Sequence, residues 1–72
     1  MNELARQIFV VLEKHAVIPA LILVAQCWHL KKTPQSIERT DLPKLAENIG
    51  RAVALFSDPG KGKAVSEAIL RL

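Results

Sequence analysis

Residues 16–32 read AVIPALILVAQCWHLKK. The first ten are apolar without a break, and only Gln26 and His29 interrupt the run before Lys31 and Lys32. Three readings compete for such a stretch. A signal sequence places basic residues ahead of its apolar run. Here the preceding segment holds Glu3 and Glu13 beside Arg6 and Lys14, and it has a helical periodicity of its own. A lipoprotein-type cleavage before Cys27 wants a small residue at position 26, where Gln26 stands. A membrane span needs ~20 apolar residues, and Lys14, His15, Gln26 and His29 close the run well short of that. A buried helix remains. It opens near Pro19, which a first helical turn tolerates. It continues through Leu30 and ends at two lysines that complement the negative end of its dipole.

A helix apolar on nearly every side is expected to be central. The second helix should therefore be the hub of a small bundle or meet a second copy of itself, with Trp28 as a core anchor and Cys27 in the core.

On the N-terminal side, Leu4, Ala5, Ile8, Phe9, Val11, Leu12 and Ala16 form the stripe of a first helix from about Glu3 to His15, with Asn2 as its N-cap. Val10 falls on its polar face. On the C-terminal side, Thr33-Pro34 has the form of a cap followed by a first-turn proline, which predicts a short fifth helix over 34–38. Thr40 or Asp41 is expected to cap a third main helix over 42–56. Its stripe is Leu42, Leu45, Ala46, Ile49, Ala52, Val53 and Phe56. Gly50 lies beside that stripe, where a glycine lets another helix come close. Ser57-Asp58-Pro59-Gly60 is turn chemistry carrying a cap for the last helix, which reaches about Leu72 and turns Val65, Ala68, Ile69 and Leu72 inward. The fold expected is all-α: one domain over 1–72, with four main helices packed as a bundle or orthogonally.

The 72 residues are half apolar and about a quarter charged, which excludes disorder. One core of this size rarely supplies more than ~3–5 kcal/mol. Cys27 is the only cysteine, so no internal disulfide adds to it. Close helix packing or self-association is the expected support, and a free thiol points to the reducing cytoplasm.

The motifs that resemble chemistry fail on spacing. Cys27 and His29 are two apart and point ~200° from each other on a helix, so no nucleophile–base dyad forms locally. His15, Cys27 and His29 lack the C-x₂-C or H-x₃₋₅-H spacing of a zinc site. The 58–63 segment, DPGKGK, lacks the first glycine and the Ser or Thr of a phosphate-binding loop. No catalytic, metal or cofactor residue is assigned, and the chain is read as non-enzymatic.

Two binding readings remain. Residues 1–30 carry no net charge, so 31–72 hold all of the +3. The hairpin over 42–72 is therefore a candidate helix-turn-helix for DNA, with Lys61, Lys63 and Arg71 facing the nucleic acid. The favoured reading is a protein interaction or regulatory module that self-associates as a homodimer or binds another protein partner. Val10, Leu55 and Leu70 break polar faces in the same sense. With Ile22 and Gln26 on the second helix they form the expected interface.

Overall fold

The computed structural model describes residues 1–72. Four α-helices follow one another with no strand: α1 (Glu3–His15), α2 (Pro19–His29), α3 (Leu42–Phe56) and α4 (Pro59–Leu70), with a 3-10 turn, Arg39–Asp41, leading into α3. The radius of gyration is 10.4 Å, against about 11 Å for a compact chain of this length. The helices thus close on one another within a single chain.

Asn2 starts the fold and also ties it together. Its Oδ1 accepts the Ala5 N–H at 2.8 Å, which caps α1. Its Nδ2 donates to the Ile37 carbonyl at 2.9 Å and the Gln35 carbonyl at 3.3 Å, and its backbone N–H donates to the Pro34 carbonyl at 2.8 Å. These bonds hold the 34–37 segment against the start of α1 and seat Ile37 in the core. The helix expected over 34–38 does not form. Ser36 instead closes a turn onto Thr33, accepting the Thr33 N–H at 2.9 Å through Oγ. Asn2 takes the carbonyls that a helix would have used.

The end of α2 is a Schellman motif. The Lys31 N–H donates to the Trp28 carbonyl at 2.8 Å and the Lys32 N–H to the Cys27 carbonyl at 2.9 Å. Lys31 has φ 59°, the left-handed conformation usually given to glycine at this position. Lys32 then donates to Asp41 Oδ2 at 2.8 Å. The same oxygen accepts the Glu38 N–H at 2.8 Å, so Asp41 pins the loop and makes no side-chain cap on α3. Asp58 does cap α4, accepting the Lys61 N–H at 2.8 Å.

The hub of the fold is α3, where the sequence reading expected α2. Leu42, Leu45, Ala46, Ile49, Ala52 and Val53 of α3 are buried, whereas α2 buries only Ile22, Leu23 and Cys27. Gly50 and Gly62 explain the choice. A Cβ at Gly50 would stand 2.9 Å from the Gly62 carbonyl, and one at Gly62 would overlap the Gly50 carbonyl. Backbone meets backbone, and α4 closes tightly on α3. Ile8 and Leu12 of α1 and Val65 and Ile69 of α4 complete the core, in which no polar side chain is buried.

Candidate functional site

The tight α3–α4 pair leaves α2 at the edge of the molecule. Its buried residues lie on one side. The opposite side carries Val17 just ahead of the helix, then Leu21 and Trp28, which are 79%, 63% and 69% exposed. Leu21 and Trp28, seven residues apart, lie on one stripe of α2, and Val17 is exposed in the bend just ahead of it. Val24 and Ala25, half-buried, fill the stripe between Leu21 and Trp28. Trp28 is thus a surface residue and not the core anchor expected. The reason is angular: once Ile22, Leu23 and Cys27 face α1 and α3, Trp28 must point away.

A shallow cleft of about 310 Å³ lies beside Trp28, lined by Ala25, Trp28 and His29. A second, of about 260 Å³, separates α2 from α3 and is lined by Gln26, His29, Asn48, Arg51, Ala52 and Leu55. His29 belongs to both, so Leu55 stands across a narrow polar seam from the α2 stripe. Leu55 is 79% exposed, and Phe56, expected to face inward, is exposed beside it at the end of α3. Arg51 on the seam is engaged by Glu47 at 2.8 Å.

The five expected interface residues are therefore divided. Gln26 and Leu55 come together in the α2–α3 cleft. Ile22 is buried inside the chain and cannot meet a partner. The sequence reading placed it on the same line as Gln26 and His29, but the Ile22 end of that line is turned into the core. Val10 is exposed on α1 and lines a different cavity, together with Arg6 and Arg71. Leu70 is exposed on α4 and borders none of these clefts. Val17, Leu21 and Trp28 were missed as surface residues. Their signal was present in the sequence: a helix with four apolar sides and only three other helices to cover them.

The basic residues are divided too. Lys61 and Lys63 are exposed in the first turn and a half of α4. Arg71 follows its last turn, roughly 15 Å from Lys61 along the axis, and faces the cavity shared with Arg6 and Arg39.

The residues of the rejected chemical motifs are apart. Cys27 is fully buried, and His29 is exposed. Burial pushes the Cys27 thiol up, and the Asp41 carboxylate adds to the shift, so the thiolate is disfavoured. No three His, Cys, Asp or Glu side chains gather as a metal site would require. No helix is long and apolar enough to cross a membrane.

Comparison with protein-family models, with curated proteins and with solved structures finds no match to this chain.

Proposed function

We propose that this chain is a non-enzymatic interaction module that works as a homodimer, with α2 of one copy laid antiparallel on α2 of the other. The observation that carries this reading is the exposed stripe Val17–Leu21–Trp28 with Leu55 beside it. Together these side chains leave apolar surface on the order of a few hundred Å², a size that on a soluble chain often marks a functional face.

The stripe is self-complementary. A two-fold axis midway between Val17 and Trp28 sets the small end of one stripe against the large end of the other. It also sets Leu21 opposite Val24 and Ala25, beside the hollow next to Trp28. The two helix dipoles run in opposite directions in such a pair. The single unpaired thiol supports the reducing cytoplasm as the place of action.

Sedimentation equilibrium tests the reading. The native chain is expected to give a dimer mass at tens of micromolar. Leu21→Asp and Leu55→Asp should each give a folded monomer, because a charge on an apolar seam is costly unless paired. Val10→Asp, off the stripe, should leave the dimer intact. A monomeric native chain at these concentrations overturns the proposal, and so does a Leu21→Asp chain that stays dimeric. DNA binding has no comparable observation in its favour, since Lys61 and Lys63 stand at one end of α4 and Arg71 at the other.

A further inference from the structure

The outer side of α2 forms a ridge along one edge of the molecule. Leu21 and Trp28 stand out from it, Val17 from the bend ahead of it, and Leu55 and Phe56 from the end of α3 nearby. Residues 14–37 contain no Asp or Glu. Lys14 is exposed just before the ridge and Lys31 just after it, and neither enters an ion pair. The acids that border this stretch are Glu13 and Glu38 in sequence and Glu47 on α3, and Glu47 is tied to Arg51 at 2.8 Å.

Three features of the ridge match the surface of a bilayer. The first is shape. The apolar side chains stand proud of the helix, and the clefts beside them are shallow. A protein partner must supply a matching hollow, whereas the headgroup layer yields to a protruding stripe. The second is Trp28, 69% exposed. Its ring joins an apolar body to a polar N–H, the combination that concentrates tryptophan at the membrane–water interface. The third is charge. A lysine at each end of an apolar stripe, with no acid between them, complements anionic headgroups while the stripe sinks. A second copy of the chain offers these lysines no anion from the same stretch.

We infer that the α2 ridge docks on an anionic phospholipid bilayer. The helix lies in the plane of the interface, with Leu21 and Trp28 among the headgroups and Lys14 and Lys31 against anionic lipid. An 11-residue helix is about 16 Å long, so it rests on the bilayer and does not cross it. The inference rests on the same exposed stripe as the proposed dimer and adds a competing occupant to it. The two states exclude each other, because a copy seated on the bilayer has left its partner.

The test adds vesicles to the intact chain at high dilution and follows Trp28 emission together with co-sedimentation. Vesicles of two parts phosphatidylcholine to one part phosphatidylserine should move the emission to the blue and carry the chain into the pellet. Vesicles of phosphatidylcholine alone should do neither. Lys14→Gln and Lys31→Gly, both at exposed positions, should each weaken binding by about fivefold and leave the fold and the dimer mass unchanged. Leu21→Asp should abolish binding. Lys61→Gln is the control on α4, which packs on α3 and α1; it should change binding by less than about twofold, since salt screens a distant charge. Equal binding to phosphatidylcholine alone overturns the docking, and so does a loss in Lys61→Gln as large as that in Lys14→Gln. An emission maximum that ignores the mixed vesicles also overturns it, and a chain that is dimeric by sedimentation then keeps the second copy as the occupant of the ridge. A chain that is monomeric by sedimentation and binds the mixed vesicles overturns the dimer and supports the docking.

Discussion

Asp41 joins three parts of the chain through one oxygen, which accepts from Lys32 at the end of α2 and from the Glu38 backbone. The Lys32 hydrogen bond, followed by that from Glu38, holds its carboxyl below the usual aspartate range. A lowered folded pKa means that the unfolded chain takes up the proton first as the pH falls. The stabilisation is therefore complete above about pH 4 and is lost as the pH drops below that toward the folded value. Asp41→Asn should cost roughly 1–2 kcal/mol at neutral pH. Urea unfolding should show the gap from the native chain narrowing on acidification. A gap that is constant with pH would mean that the carboxylate charge contributes nothing. Lys31 makes an opposite prediction. Its left-handed backbone, φ 59°, strains a residue that carries a Cβ. Lys31→Gly should stabilise the fold by about 0.5–1 kcal/mol, the relief of that strain less the greater freedom of glycine when unfolded. The change should appear as a higher urea midpoint.

At the scale of elements, the contact between α3 and α4 decides the architecture. Gly50 and Gly62 face each other across it, and neither has room for a Cβ. Gly62→Ala should therefore destabilise by about 1–3 kcal/mol, although alanine is the better helix former. Gly60→Ala is the matched control on the same helix. The only atom near its added Cβ is Asp58 Oδ1, at 3.1 Å, the oxygen that caps α4 by accepting the Lys61 N–H. Its effect should stay within about 1 kcal/mol, the weakening of that cap set against the better helix propensity of alanine. Thermal unfolding of the two variants in parallel separates helix propensity from interhelical clearance. The close pair also accounts for the edge position of α2. Two helices in backbone contact form one thick unit, and α2 can lie on only one side of it.

At the scale of the whole molecule, the chain closes a core of fifteen buried apolar residues and still leaves Leu21, Trp28 and Leu55 mostly in water. If that face is the seam of a dimer, folding and association are coupled, and the thermal midpoint must rise with protein concentration. Trp28 reports the same event optically. Its emission should be red-shifted and open to iodide at high dilution, then move to the blue and become shielded as the concentration rises. In Leu21→Asp both signals should stay at their dilute values. A midpoint and an emission maximum that ignore concentration in the native chain would leave the stripe bare in solution.

The amino-acid sequence by itself determined the helices. α1 starts at its Asn2 cap and α4 at its Asp58 cap, and α1 and α3 run over the residues that the 3.6-residue period marks, because these signals act within a few residues of one another. The close approach at Gly50 and the burial of Cys27 were legible for the same local reasons. Tertiary structure decided the rest. Periodicity says that a side is apolar, but not whether a neighbour reaches it, so Trp28 and Phe56 looked like core and Ile22 looked like interface. The 34–38 segment had a helical start signal that lost to Asn2, thirty-odd residues away in sequence. The three arginines of the cavity lie at positions 6, 39 and 71 and share no local pattern. Only the packing of α1 against α4, with Arg39 held between them, brings their charges to one place.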